Sequence, residues 1–192
     1  MEQMTLNIPV LALRGLTVFP DQTTGFDVER EISMLALNNA MEEGKDIFLV
    51  TQRELAVARP EESDLYAVGT VAHVLQIIKT SDSTVRVVVR GMSKGRIKRL
   101  WQTHPFLQAN VVLLEDDLPV RMTSRVEAVM RQTYLLFGEY RDMVPELSDE
   151  IVATVLDCDD PGKLADYIGY TINLRHMDRQ RILEEMHPVK RL

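Results

Sequence analysis

Residues 68–90 read VGTVAHVLQIIKTSDSTVRVVVR, and they decide the fold class of this chain. Two runs rich in β-branched residues, 68–79 and 84–90, flank the polar triplet SDS at 81–83. Two such runs joined by a short polar segment predict a pair of strands with a turn between them. The sequence therefore predicts a β-hairpin, and a sheet or barrel built around it.

More short strands are predicted on both sides of the hairpin. Residues 6–29 have an extended pattern with a turn near Pro20, residues 47–50 form a short apolar run, and two further strands are predicted at 97–101 and 106–114. Because short strands follow one another with tight turns, we expect an antiparallel sheet or barrel.

One helix is predicted within this β-rich part, over residues 30–43. Its apolar side has helical spacing and is formed by Ile32, Leu35, Ala36, Asn39 and Ala40. Gly44 is the predicted C-terminal cap of this helix.

The pattern changes at residues 116–119, DDLP, after which apolar residues recur every three or four positions. Ser148 and the pair Asp160-Pro161 are helix-start signals, and a last helix is predicted over 180–186. The sequence thus predicts an α+β protein of two lobes: residues 1–117 form a β lobe with one helix, and residues 118–192 form an α-helical bundle.

Composition excludes several classes of protein. The 192 residues carry a net charge of −7 and a single cysteine, Cys158, so no internal disulfide can form and a reducing, cytoplasmic setting fits best. The acidic total argues against strong attraction of the whole surface to nucleic acid or to anionic lipid. The sequence has no apolar run of membrane-spanning length and no signal-peptide pattern, so no membrane partner is expected.

Residues 91–95, GMSKG, match the G-x-S-x-G pattern of hydrolases that use a serine nucleophile. That motif must lead directly into a helix, but residues 96–100 lack a helical stripe. We therefore predict a glycine-bounded turn between strands, with a hydrolase that uses Ser93 as the alternative. The sequence has no phosphate-binding loop, and its four histidines are not spaced as metal ligands.

A local basic cluster opposes the acidic total. Its members are Lys79, Arg86, Arg90, Lys94, Arg96, Lys98 and Arg99, with Trp101 at its end. We interpret it as a solvated sheet face; the alternative is an RNA-binding barrel that uses residues 79–101.

Exposed apolar residues near turns are the candidates for binding a partner. They are Leu16, Phe19, Met92 and Phe106. Four other methionines, Met34, Met41, Met130 and Met143, are expected in the core, since they lie on or near apolar helix faces.

Several segments together resemble one known family. They are IPVLALRG at 8–15 with VFP at 18–20, LYAVGTVA at 65–72, VVVRG at 87–91 followed by Arg96-Ile97, DPGKLAD at 160–166 and RQRILE at 179–184. Their order and spacing resemble the N-terminal domain of Lon-type ATP-dependent proteases, also called protease La. The resemblance covers essentially the whole chain.

The resemblance implies a PUA-like β pseudo-barrel followed by a helical bundle. It implies a non-catalytic domain that recruits unfolded or degron-bearing proteins to a homo-oligomer, a hexamer in the parent protease. ATP and Mg²⁺ would bind an ATPase domain, and a Ser-Lys dyad would cut the substrate; neither lies in these 192 residues, so no cofactor, ATPase or peptidase activity is expected here. The alternative is a free-standing binding protein with the same domain.

The C-terminal residues lead to one more prediction. Val189 and Leu192 begin a new helical pattern after His187-Pro188. In the resembled family a long helix follows here and leads to the ATPase. We therefore expect the natural chain to continue past Leu192 and the last four residues to be frayed, or ordered only by a neighbouring molecule.

Overall fold

The computed structural model describes residues 4–81, 83–117 and 121–192. In chain order the β-rich part contains β1 (Thr5–Leu13), β2 (Thr23–Val28), α1 (Glu31–Glu42), β3 (Asp46–Thr51), a short 3-10 helix (Glu62–Asp64), β4 (Val68–Lys79), β5 (Val85–Gln102) and β6 (Leu107–Leu113). The helical part contains α2 (Ser124–Met143), α3 (Asp149–Asp157), α4 (Pro161–Thr171), α5 (His176–Glu184) and α6 (Pro188–Arg191). This order confirms the predicted α+β class. Asp82 of the predicted turn and residues 118–119 at the predicted lobe boundary lie outside the described residues.

The six strands form one sheet in the order β2-β5-β4-β3-β1-β6, and an added pairing of β5 with β6 closes five of them into a ring. This is the expected pseudo-barrel, but it is not wholly antiparallel. β1 and β3 pair in parallel, with Val10 opposite Phe48. Parallel neighbours need a crossover connection, which β2 and α1 provide here.

Strands β1 and β3 are buried on both faces. Successive side chains point to opposite sides of a strand, and here they enter two different hydrophobic clusters. Leu11 and Leu49 belong to one cluster, whereas Val10 and Phe48 belong to the other. This double burial explains why residues 47–50 are continuously apolar rather than alternating.

Strand β5 runs without interruption through residues 91–95, so the predicted turn at the two glycines is wrong. The glycines are needed for close packing. A Cβ on Gly91 would lie 2.0 Å from the carbonyl oxygen of Phe19, and one on Gly95 would lie 2.6 Å from Val111 Cγ1. Ser93 pairs with Val71 inside the strand, and no helix follows it directly, as a nucleophile elbow requires.

Helix α1 buries a face that overlaps the predicted one at Ala36 and Ala40 and is shifted elsewhere. Its buried residues are Ser33, Ala36, Leu37 and Ala40. Leu35 and Asn39 are only half-buried because the buried stripe runs through the neighbouring positions. Gly44 follows the helix with a φ of +123°, a conformation that glycine adopts readily, which confirms it as the residue that ends α1.

The helix starts predicted in the second part are confirmed by their caps. Ser148 accepts a hydrogen bond from the Ile151 amide, and Asp160 accepts one from the Lys163 amide, with Pro161 in the first turn of α4. Helix α5 begins at His176, earlier than predicted. Helices α2, α3 and α4 share a hydrophobic cluster whose buried members are Val126, Met130, Phe137, Val155 and Leu164.

The expected fraying of the last four residues is wrong. Helix α6 is docked, and the Arg191 guanidinium is buried against Asp166 and Asp116. The ring of Pro188 fixes its φ at a value that suits the first position of a helix. The ion pairs of Arg191 stabilise a helical turn that would be too short to persist alone.

Two of the four methionines expected in the core are not buried. Met130 is buried and Met34 packs against the β-lobe core, but Met41 and Met143 are exposed. Among the described residues, no helix is long and apolar enough to cross a membrane.

Candidate functional site

The Phe-Pro turn joins the β lobe to the helices, and Phe19 is its anchor. Phe19 is 0% exposed and packs with Val68 of β4 and Leu183 of α5. Its ring centroid lies 6.2 Å from that of Tyr170 on α4. The prediction that Phe19 is a surface residue is therefore wrong, because the helical lobe covers the turn.

A buried charge network reinforces this junction. Lys94 Nζ on β5 lies 3.2 Å from Asp166 Oδ1 on α4. Arg191 Nη1 donates to both oxygens of the same carboxylate, at 2.9 and 2.7 Å, and Arg191 Nη2 lies 2.5 Å from Asp116 Oδ2. Four residues from the two lobes and from the segment after β6 thus meet at one place.

Burial dominates the electrostatics of Lys94 and Asp166, whereas Asp166 and Asp116 raise the pKa of Arg191 against its burial. Burial lowers the pKa of the Lys94 amine, although Asp166 counteracts part of that effect. It also raises the pKa of the Asp166 carboxyl against the attraction of Lys94 and Arg191. Both directions show that taking these charges out of water costs free energy, which the contacts between them must offset.

Two backbone carbonyls accept buried side-chain hydrogen bonds at the same junction, one within the β lobe and one from α5. Thr70 Oγ1 donates to the Val18 carbonyl at 2.6 Å, and Gln180 Nε2 donates to the Val68 carbonyl at 2.9 Å. Since buried backbone acceptors need donors, these side chains fix the positions of the Phe-Pro turn and of α5 on the sheet.

A cleft of about 210 Å³ opens at the junction. It is lined by Pro20, Asp21, Thr154, Cys158, Lys163, Asp166, Tyr167 and Tyr170. The two tyrosine rings meet edge to face with centroids 5.1 Å apart. A ligand pocket usually measures at least roughly 300 Å³, so this cleft suits a single inserted side chain better than a cofactor.

Two groups in the cleft that could serve as nucleophiles, Tyr170 and Cys158, are neutral near pH 7. Burial, followed by the nearby Tyr167 and Asp21, raises the pKa of Tyr170 to about 12. Burial also raises the pKa of the Cys158 thiol. Neither group has the lowered pKa that would activate it as a nucleophile.

The larger concavity lies on the β lobe, where β1, β5 and β6 adjoin; we call it the strand groove. It encloses about 830 Å³ and is lined by Met4, Thr5, Arg96, Ile97, Lys98, Val112 and Leu114. Thr5, Val112 and Arg96 are cross-strand neighbours in one row. The groove therefore combines apolar side chains with two cationic ones.

The four predicted binding residues do not form one site. Leu16 is half-buried against the β-lobe core, Phe19 is buried at the lobe junction, and Phe106 is half-buried near the start of β6. Met92 is 54% exposed, as predicted. It occupies an irregularity in the pairing of β4 with β5, since Gly91 and Ser93 pair with consecutive residues of β4.

Met92 lies next to the Phe-Pro turn and hence near the cleft. The Asp21 amide donates to the Gly91 carbonyl, and the Gly91 amide donates to the Gln22 carbonyl. A β-bulge redirects a side chain out of the regular strand, and this one leaves the Met92 thioether in solvent.

The prediction that the basic cluster is solvated holds for Lys79, Arg86, Arg90, Arg96, Lys98 and Arg99, which are exposed, and is wrong for Lys94. Lys94 is buried at the lobe junction, and Arg86 pairs with Asp27 at 3.0 Å. Lys98 and Arg99 remain exposed, near Trp101, whose Nε1 donates to Asn7 Oδ1. Lys94 has the same parity along β5 as the exposed Arg96 and Lys98, but the helical lobe packs over its position, which residue counting along the sequence could not detect.

Within the described ranges, no group of three or more His, Cys, Asp or Glu residues could hold a metal ion. His73 is half-buried, and its Nδ1 lies 2.7 Å from Asp46 Oδ1.

The chain matches known proteins over its whole length. A family model described as the ATP-dependent protease La (LON) substrate-binding domain matches residues 7–192. The Lon protease of Clostridioides difficile (strain 630) is 38% identical over 188 residues, which cover 96% of this chain and 24% of that protein. The Lon protease of Clostridium acetobutylicum is 32% identical over 192 residues, covering 100% of this chain and 25% of that protein.

Solved structures agree on the fold. The N-terminal domain of a Mycobacterium avium complex Lon protease superposes with a TM-score of 0.73 at 20% identity, covering 97% of this chain and 94% of that one. A Lon N-terminal domain protein from Xanthomonas campestris gives a TM-score of 0.67 at 14% identity, with the same two coverages. The chain spans about a quarter of the length of the curated relatives it matches. It belongs to the family of Lon protease substrate-binding domains.

Proposed function

We propose that this chain is the substrate-recognition part of an ATP-dependent Lon protease, and that it binds unfolded or degron-bearing polypeptides. Family membership supports this role, as does the quarter share that the chain has of its relatives' length. In this proposal the ATPase and the Ser-Lys peptidase belong to the rest of the protein, and six copies assemble into the active ring. In this proposal the domain binds and orients the substrate and does not itself catalyse a reaction.

The strand groove is the observation that carries the proposal. Its lining combines the apolar residues Met4, Ile97, Val112 and Leu114 with the cationic Arg96 and Lys98. Unfolded chains expose apolar side chains that folded proteins bury, so an apolar groove distinguishes them from folded ones. The two cations favour segments that also carry acidic residues.

The affinity of one groove is expected to be weak. Burying one substrate side chain of leucine or valine size contributes roughly 1.5–3 kcal/mol, and ordering a flexible chain offsets much of this. Weak binding suits a domain that must release its substrate to the ATPase. Several copies in one ring would raise the overall affinity through effective concentration.

The test measures fluorescence anisotropy of a labelled, permanently unfolded model protein titrated with the 192-residue chain. The double variant Met4→Ser/Val112→Ser removes apolar surface from the groove, and we expect binding to weaken by roughly tenfold. The matched control is Met177→Ser, which changes an exposed methionine on α5 outside the groove. Circular dichroism confirms that each variant is folded.

Unchanged affinity in the folded double variant would place the binding surface elsewhere. The exposed Met92, next to the Phe-Pro turn, is then the next candidate, and Met92→Ser tests it in the same assay. A salt titration accompanies each measurement, because binding to a nucleic-acid backbone would show a much steeper salt dependence than binding to an apolar polypeptide.

A further inference from the structure

Helix α2 carries a second apolar face that no described residue covers. Its first face, with Val126, Met130 and Phe137, packs against α3 and α4. Most of the apolar residues outside that face are exposed on the far side of the helix, with Val129 half-buried at its edge. They are Ala128, Val129, Leu135, Leu136 and Met143.

The exposure of this second face is large. Leu135 is 59% exposed, Leu136 is 53% exposed and Met143 is 74% exposed. Two adjacent leucines in solvent are costly on a helix that already has a buried face elsewhere. The residues of this second face are spaced three, four or seven positions apart, so they form one stripe along α2 with Gln132 at its centre.

The stripe is self-complementary about Gln132. Arg125 and Glu139 lie equally far before and after Gln132 in the sequence, and they have opposite charges. Within the parts of the chain that the structure describes, neither side chain forms an ion pair. If two copies of α2 pair in opposite directions with their Gln132 residues together, each Arg125 meets the other copy's Glu139.

The apolar residues obey the same symmetry. Val129 and Leu135 are equally far from Gln132, and so are Ala128 and Leu136. An antiparallel pair therefore places apolar residues opposite apolar residues, with the two charge pairs about 10 Å on either side of the centre along the helix. A twofold contact between identical surfaces requires this kind of self-complementarity.

We propose that the outer face of α2 binds a second copy of this chain through an antiparallel, twofold-symmetric helix pair centred on Gln132. The core of the contact is formed by Leu135 and Leu136, and Arg125 and Glu139 fix its direction and register. A single helix pair buries little area, so the isolated chain forms a weak dimer, in roughly the micromolar range or weaker.

The test begins with sedimentation velocity over a concentration series of the 192-residue chain. The wild type should show a reversible dimer, and Leu136→Glu should abolish it. Arg125→Glu or Glu139→Arg alone should weaken the dimer by roughly tenfold, because each places like charges opposite each other twice.

Rescue distinguishes a specific pair from loss of folding. The double variant Arg125→Glu/Glu139→Arg should restore the dimer, since it rebuilds both ion pairs with exchanged signs. Mixing the two single variants should also give a heterodimer, because position 125 of each copy then faces an opposite charge at position 139 of the other.

A cysteine crosslink reports the register directly. In a Cys158→Ser background, Gln132→Cys should form an intermolecular disulfide on mild oxidation, because the two sulfurs meet at the symmetry axis. Glu127→Cys is the matched control, since it is exposed on α2 but lies outside the stripe. A wild type that stays monomeric at every concentration, a double reversal that does not restore the dimer, or equal crosslinking at both positions would each overturn the proposal.

Discussion

The charge network between the lobes yields the sharpest prediction, a ranking of two substitutions. Asp166→Asn removes the carboxylate that faces both Lys94 and Arg191. Arg191 keeps Asp116, but Lys94 is left buried without an anion in direct contact. Removing one partner of a buried pair costs about 3–5 kcal/mol, and we expect the free energy of unfolding to fall by that amount.

Lys94→Met should cost much less. Asp166 keeps both hydrogen bonds from Arg191, at 2.9 and 2.7 Å, so no buried charge is left unpaired. The substitution also removes an amine whose pKa is lowered by burial, and hence a charge that is unfavourably buried. The lost contact, at 3.2 Å, is worth roughly 1.5–3 kcal/mol, and relief from burying the amine offsets part of this.

The assay is urea denaturation followed by two probes. Helical circular dichroism reports mainly on α2 to α5, and the fluorescence of Trp101 reports on the β lobe. Arg141→Ala, which breaks an exposed ion pair with Asp149, is the control and should change stability by less than about 0.5 kcal/mol. A Lys94→Met variant as unstable as Asp166→Asn would refute the argument.

The pH dependence provides an independent check of Asp166→Asn. Without its anion, Lys94 has a folded-state pKa still further below its unfolded value of about 10.4. A lowered folded-state pKa contributes stability above the unfolded pKa and loses it as the pH falls. The variant should therefore lose more stability than the wild type between about pH 10 and pH 7.

Three more predictions follow. Gly91→Ala forces a Cβ against the Phe19 carbonyl and should destabilise by about 3 kcal/mol in urea denaturation, whereas Gly138→Ala, which meets nothing within 4 Å, should stabilise by up to about 1 kcal/mol. Because burial raises the pKa of Tyr170 to about 12 and also raises the pKa of Tyr134, a spectrophotometric titration should show these two tyrosines ionising later than the others, and stability should fall as the pH rises from about 10 toward 12. Because burial raises the pKa of Cys158, iodoacetamide should alkylate it more slowly at about pH 8 than a free model thiol.

Local signals in the sequence predict local structure well. The hairpin, the caps at Ser148 and Asp160, and the end of α1 at Gly44 each depend on residues within a few positions of one another. Such features need no knowledge of tertiary packing, because side-chain acceptors and glycine conformations act on their own segment.

Features that depend on contacts distant in the sequence were predicted poorly. Phe19 is near a turn and looks exposed, but α4 and α5 cover it. Lys94 lies in a basic run and looks exposed, but α4 covers it and places Asp166 beside it. Gly91 and Gly95 suggest a turn, although they serve close packing inside a strand.

The strand groove could not have been predicted from any one motif. Its lining comes from the segment that begins β1, from the second half of β5 and from the end of β6, which meet only when the ring closes. Residue type alone also gave a wrong prediction. Met143 was expected in the core, but the buried face of α2 lies on the other side of the helix, so Met143 is exposed.

The closure of the ring has a consequence for biosynthesis. Thr5 pairs with Val112, more than a hundred positions later, and this contact completes the barrel. A nascent chain that has not yet released β6 from the ribosome must leave one flank of β1 without its partner. Contacts this distant slow folding, and an unpaired strand edge invites association with other chains. We therefore expect the β4–β5 hairpin to form early during translation and β1 to be the element most in need of protection by a chaperone.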